Sequence, residues 1–221
     1  MNEQRFSEAF QDLARKMGMA VEAAWIPLFY RHASMLLKWN RKINLTSVTD
    51  WKEVIVKHFL DSLAMLPLIP ENARVLDLGS GAGFPGVPLR IARPNISMTL
   101  AESSTKKRVF LLTLLDELRF FNVDVILGPN PNLPRSIPDQ RFDLVLTRAV
   151  GSLALLEDLG PMLLEKGGAI LALKGPGFKE EFEKYEKARG EKGRLLKAEI
   201  AAEFDLPAGM GHRLIVRLPA N

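Results

Sequence analysis

The chemistry-bearing residue types in this chain concentrate in the stretch VLDLGSGAGFPG, residues 75–86. It sets an acidic residue, Asp77, ahead of glycines at 79, 81, 83 and 86. Glycines in such a run let the backbone turn tightly and come close to a bound molecule, and a helix that starts directly afterwards offers its N-terminus to electron-rich groups. The pattern predicts a ligand loop made by Gly79, Ser80, Gly81 and Gly83, with Phe84 as an apolar wall. Glu102 follows 21 residues after Gly81, the distance at which a strand-end carboxylate accepts hydrogen bonds from ribose hydroxyls. A nucleoside-bearing cofactor is what these residues suit.

Two cofactors fit the glycines. Gly81, Gly83 and Gly86 satisfy G-x-G-x-x-G, so a nicotinamide-dependent oxidoreductase stays open. Three features favour S-adenosyl-L-methionine. Asp77 precedes the 79/81/83 glycine phase, as in the first motif of methyltransferases, where an acidic residue helps place the sulfonium and amino acid end. FDLVLT (142–147) followed by Arg148 suits a fourth strand that borders the transferable methyl, and LLEKGGAILALK (163–174) suits a glycine-turned fifth strand. A Tyr-x-x-x-Lys pair is missing, because Tyr30 and Tyr185 are followed four positions on by Ser34 and Arg189.

On the acceptor side, SSTKKR (103–108) puts Lys106, Lys107 and Arg108 in the first turn of a helix, where cations oppose the macrodipole. Contact of Lys106 and Arg108 with substrate phosphate would compensate. The fourth strand ends in TRA (147–149), not in the Asp/Asn-Pro-Pro-Tyr/Phe pattern of enzymes that methylate exocyclic amines of bases. The chain has no cysteine, which closes covalent addition to pyrimidine C5. For a nucleic acid, an atom that is already nucleophilic remains. Guanine N7 has an exposed lone pair and no proton to lose, so positioning and electrostatics suffice. Arg148 is placed to orient cofactor or base, and Lys174 in ALKGP to meet RNA phosphate. His58 and Asp61 share a helix face, where they either pin the helix to the core or line the substrate entrance. Asn40 stands among Trp39, Arg41, Lys42 and Asn44, a mix of aromatic, amide and cation that RNA surfaces use.

These residues need a scaffold, and the 221-residue chain has material for one: 47% hydrophobic and 25% charged residues, with a formal net charge of +4. That balance excludes a mainly disordered chain and is compatible with a polyanionic partner. The longest nearly unbroken apolar run, Val109 to Leu115, falls far short of the roughly 18 residues of a membrane span. His32, His58 and His212 lack chelating spacing, so no metal is expected, and the N-terminus lacks an export pattern, so the chain reads as cytoplasmic. Residues 1–70 show helical periodicity, with one helix starting at Asp50 and ending before Pro67 and Pro70. From Arg74 onward, strand-like runs (75–79, 97–102, 123–127, 142–147, 169–174) alternate with helical ones (86–93, 105–121, 151–164, 178–188). Two further runs, 195–201 and 213–218, suggest an antiparallel edge pair, and the proline-rich segment 128–140 reads as a long loop. The expected architecture is an α/β, Rossmann-like, seven-stranded, mostly parallel sheet with helices on both faces. A core at 71–221 carries an N-terminal helical extension at 1–70.

With these residues in view, the chain resembles the RsmG (GidB) family of ribosomal RNA methyltransferases. The resemblance rests on LLKWNRKINLTSVTD (36–50), KHFLDSL (57–63), VLDLGSGAGFPGVPLRIARP (75–94), FDLVLTRAVGSL (142–153) and ALKGP (172–176). It implies a class I methyltransferase fold and transfer of methyl from S-adenosyl-L-methionine to N7 of one guanine in the 530 loop of 16S rRNA. The small ribosomal subunit is then the partner, with a monomer favoured. It also implies cofactor roles for Gly79, Phe84 and Arg148, and places Arg148 and Lys174 near the active site. One segment departs from the family: GPNPN (128–132) replaces a Gly/Ser-Arg-x-Glu-Glu-like sequence at a place that normally touches the adenine. A non-catalytic RNA-binding or ribosome assembly factor on the same fold is the alternative that this departure raises.

Overall fold

The valine-, leucine- and isoleucine-rich runs do form strands. The computed structural model describes residues 2–128, 140–148, 151–192 and 198–220. In it β1 (Arg74–Leu78), β2 (Ser97–Glu102), β3 (Val123–Leu127), β4 (Phe142–Arg148), β5 (Leu164–Lys174), β6 (Glu199–Asp205) and β7 (His212–Pro219) build one sheet. Its order is β3-β2-β1-β4-β5-β7-β6. The first five strands run parallel, and β7 lies antiparallel to both β5 and β6. Asp77 in β1 stands opposite Leu100 of β2 and Leu146 of β4, so Glu102 and Arg148 end their strands at one edge of the sheet. Strand order reverses at β1, and ligands of open α/β sheets bind beyond the C-terminal ends at such a point.

Alternation along the strands divides the apolar side chains between two layers. Val75, Leu144, Leu146, Leu171 and Ile215 join one core, and Leu76, Val145, Ile170 and Val216 the other. The second core is covered by α7 (Leu153–Leu163) and α8 (Phe178–Lys192). The first is covered by α5 (Gly86–Ala92), α6 (Thr105–Leu118) and the N-terminal helices α1 (Glu3–Lys16) and α2 (Ile26–Asn40). Phe6, Phe10 and Phe29 belong to the same continuous apolar cluster as the strands, so residues 1–70 contribute to the main core itself.

The last N-terminal helix begins where the sequence places it: the Asp50 carboxylate accepts from Lys52 N and Glu53 N. Glu53 does not return the bond in a capping box and pairs instead with Lys57 at 2.7 Å. Beyond α3 (Trp51–Val54) the backbone widens into a π-helical stretch, Ile55–Leu60, before resuming as α4 (Asp61–Leu63). Val54, Ile55, Val56 and every residue from His58 to Leu63 are buried. No single stripe of an α-helix holds that many neighbours, so this helix is buried nearly all round. Phe59 sits at its centre, in ring contact with Phe6, Phe10, Phe29, His32 and Phe84.

Two strands differ from the expectation. β5 starts at Leu164, pairing with Phe142 ahead of a register shift. β6 lies at Glu199–Asp205, with an irregularity between Ile200 and Ala202. It is an edge strand with no fully buried residue, and its pairing follows from the turn into β7 where a hydrophobic face would otherwise dictate register.

Two outcomes follow from this packing. Phe59→Ala should lower the unfolding free energy in urea by roughly 3–5 kcal/mol, and a loss below about 1 kcal/mol would contradict its place in the core. Burial pushes His32 down to about 4, whereas in the unfolded chain it protonates near its ordinary value. The folded state therefore binds fewer protons between about 4 and 6.5, so this contribution is complete above that window and is lost as pH falls through it. Against wild type, His32→Gln should gain relative stability by roughly 1 kcal/mol per pH unit on acidification from 6 to 4.5. Parallel curves for the two proteins would count against a buried neutral imidazole.

Candidate functional site

The glycine loop leaves β1 and is held from below. Gly79 N and Ser80 N both donate to Ala101 O, at 2.8 and 3.1 Å, and the Ser80 hydroxyl donates to Asp77 O. Gly83 has φ +90°, and an added Cβ would stand 2.8 Å from Val87 Cγ2, so only glycine fits there. Glu102 at the end of β2 uses both carboxylate oxygens: Oε2 accepts from Gly81 N at 2.9 Å and Oε1 from Ser104 N at 2.8 Å. Asp77 is fully buried, and its Oδ2 accepts from Gly86 N at the start of α5. Burial pushes its carboxyl up to about 7 against that hydrogen bond.

Above this base lies a cavity of about 420 Å³. Gly79, Ser80, Gly81, Phe84, Glu102 and Arg148 all line it, joined by Leu45, Thr46, His58, Lys107 and Gly128. A second cavity of about 400 Å³ opens beside it, between the π-helical stretch and the end of β5. Lys57, Asp61, Lys174 and Arg213 line only this second space, whereas His58 and Arg148 line both.

Arg148 stands between the two cavities. Its Nη1 donates to Lys57 O at 3.0 Å, lies 3.2 Å from His58 Nδ1 and 3.6 Å from Asp61 Oδ2, and its guanidinium covers the Phe84 ring at 5.3 Å. His58 Nδ1 also lies 2.9 Å from Lys57 O, a carbonyl that can only accept, so Nδ1–H donates there and Nε2 accepts from the Thr46 hydroxyl at 2.8 Å. Burial and the neighbouring Arg148 push His58 down to about 3, so its ring is neutral. Asp61 also accepts from Arg213 Nε at 3.1 Å; burial raises its carboxyl, and the two arginines draw it back toward ionisation. The Phe84 ring stacks between His32 and His58, both at 4.7 Å.

Several expected contacts are placed differently. Asp77 lies beneath the loop outside the cavity lining, where it fixes the start of α5. Gly83 likewise shapes the loop from outside the lining. The Asn40 amide holds the turn that follows α2: Oδ1 accepts from Leu45 N and Thr46 N, and Nδ2 donates to Thr46 O. It thereby presents Leu45 and Thr46 to the cavity. Of the three cations opening α6, Lys107 reaches the cavity lining; Lys106 is exposed, and Arg108 Nε is buried without a partner. Lys174 is ion-paired with Glu181 at 3.1 Å, so it meets the second cavity with its charge neutralised. Residues 129–132 of the GPNPN segment lie outside the described residues. Sequence reasoning missed Thr46 and Arg213. Thr46 stood in a quoted motif without chemistry attached to it, and Arg213 sits in an apolar β7 pattern that gave no sign of its partner.

With this geometry in place, comparisons with known proteins become informative. The family described as GidB, rRNA small subunit methyltransferase G, matches residues 26–198. A "Ribosomal RNA small subunit methyltransferase G" from Carboxydothermus hydrogenoformans is 41% identical over 205 residues, covering 91% of this chain and 86% of that protein. A protein of the same name from Desulfitobacterium hafniense is 38% identical over 206 residues, covering 91% and 84%. Among solved structures, Aeropyrum pernix fibrillarin with natively bound S-adenosyl-L-methionine is similar at TM-score 0.51 and 18% identity, over 72% of this chain and 73% of that one. Precorrin-6y C5,15-methyltransferase from Geobacter metallireducens aligns at TM-score 0.51 and 14% identity, over 80% and 90%. The sheet and its helices thus have the class I methyltransferase fold, and the sequence match shows that the chain belongs to the GidB family of small-subunit ribosomal RNA methyltransferases.

Proposed function

We propose that this protein transfers methyl from S-adenosyl-L-methionine to N7 of a guanine in the 530 loop of 16S rRNA, in the cytoplasm, with the small ribosomal subunit as partner. The observation that carries this reading is the pair of neighbouring cavities that share His58 and Arg148 in their linings. The first takes the cofactor and the second the acceptor base.

The residues of the first cavity fit S-adenosyl-L-methionine. Glu102 lines it with a carboxylate whose oxygens each retain a further lone pair for a ribose hydroxyl. Gly79, Ser80 and Gly81 offer close approach to backbone, and Leu45 and Phe84 give apolar walls. A dinucleotide fits less well, because the buried Asp77 carboxylate already takes the first amide of α5, where a pyrophosphate would dock. The cofactor supplies an electrophilic methyl on a sulfonium. The chain's own task is to hold the base in line with that methyl and keep water away. His58 is neutral, with both ring nitrogens engaged, and N7 has no proton to surrender, so a site without a free general base suits this acceptor. Arg148 orients the two partners between the cavities, and Lys106, Lys107 and Arg108, at the start of α6, attract RNA phosphate.

The test is incubation of purified protein with methyl-labelled S-adenosyl-L-methionine and small subunits from cells that lack the modification, followed by analysis of N7-methylguanosine in 16S rRNA. Label at a single guanine is expected. Absence of label with the cofactor still bound would point to another acceptor, and absence of both would favour an assembly factor. In the same assay Arg148→Ala should lose about a hundredfold or more in transfer rate while its circular dichroism stays that of wild type. Full activity would remove Arg148 from the mechanism. Glu102→Ala should weaken cofactor binding by calorimetry about tenfold or more, through loss of charged hydrogen-bond acceptors. Unchanged affinity would dismiss the ribose role.

A further inference from the structure

Asp61 holds a position that the transfer reaction as described leaves unused. Its side chain is 3% exposed, yet it belongs to the lining of the second cavity. One oxygen accepts from Arg213 Nε at 3.1 Å and the other faces Arg148 Nη1 at 3.6 Å. The remaining charged side chains of that lining are cationic: Lys57, Arg148, Lys174 and Arg213. Lys57 is paired with Glu53 and Lys174 with Glu181, both from outside the lining, so their charges are met elsewhere. Asp61 is the lone acid among the described residues lining the space.

Charge moves during the reaction proposed above, on which this inference rests. As the bond from methyl carbon to sulfur breaks and the bond to N7 forms, the sulfur keeps the electron pair, and the positive charge passes from sulfonium to the purine. A cavity lined by cations alone resists that arrival. We propose that Asp61 is a positioning residue for the transfer: its carboxylate, held by Arg213, steadies the Arg148 guanidinium between the two cavities and offsets the positive field on the acceptor side. Being buried, it acts at low dielectric, where a single charge counts most. Lining the acceptor cavity and not the cofactor cavity, it should influence turnover and leave cofactor binding alone.

The measurement is Asp61→Asn, which keeps size and shape and removes the charge. Cofactor affinity is read by calorimetry, and the single-turnover rate is read on unmodified small subunits at saturating cofactor. The expected result is cofactor affinity within about threefold of wild type and a transfer rate reduced by about tenfold or more. A rate within threefold of wild type overturns the proposal. So does a parallel loss of rate and cofactor affinity, which would mark a general structural role. If Asp61→Asn does not fold, Arg213→Gln loosens the carboxylate without removing it. The same split between rate and affinity then supports the proposal, and an unchanged rate overturns it. Wild-type protein is the control that separates the two readings: inactivity of wild type on small subunits overturns the acceptor assignment, whereas an active wild type with an equally active Asp61→Asn overturns only the role of Asp61.

Discussion

The stack of Phe84 between His32 and His58 is the contact on which the site depends. The two imidazoles lie 4.7 Å from the phenyl ring on their respective sides, tilted by 9° and 29°. His32 comes from α2, His58 from the π-helical stretch and Phe84 from the glycine loop, so one column of rings joins the N-terminal helices to the end of β1. Both imidazoles are kept neutral by burial. A charged pair on either side of one ring, beside Arg148, would repel itself in a medium that screens poorly. The N-terminal helices therefore help build the cavity at the end of β1: His32 donates to Ala82 O of the loop, and His58 bonds Lys57 O and Thr46.

One helix, running through the π-helical stretch into α4, lines two cavities. Successive side chains leave a helix in all directions around its axis, so a helix buried nearly all round can turn His58 and Asp61 to different surroundings. His58 faces Phe84 and Thr46, whereas Asp61, three residues on, faces Arg213 and Arg148. The short α4 that follows ends against the 3-10 turn at Leu66–Leu68, which holds Pro67, one of the two prolines expected to stop the helix.

Charge in the site is arranged by partners that sit far away in sequence. Asp61 and Arg213 are 152 residues apart, and Arg148 is 90 residues from His58. Glu181 on α8 neutralises Lys174 at the end of β5. The Asp61–Arg213 and Lys174–Glu181 pairs let charged groups stay buried beside the second cavity without an unpaired charge, which would cost several kcal/mol. Asp61 also lies 3.6 Å from Arg148, so one carboxylate faces two guanidiniums and that cluster keeps a net positive charge.

Much of the frame was legible in the chain alone. Glycine spacing at 79, 81 and 83, the acid at 102 and the alternation of strand-like and helical runs are local signals, because they express backbone freedom, strand-end chemistry and periodicity within a few residues. The cap at Asp50 was readable for the same reason. The helical prefix was legible as helices, but its sharing of one apolar core with the sheet was not. Periodicity marks a buried face without naming what lies against it. Only the tertiary structure decided that Asn40 folds a turn, that Asp77 supports the loop from beneath, that Lys174 meets Glu181, and that Thr46 and Arg213 belong to the site. The physical reason is common to all of them: a polar side chain takes its role from the partner that satisfies it, and here those partners lie on other elements, brought within hydrogen-bonding distance only when the sheet and the N-terminal helices close around Phe84.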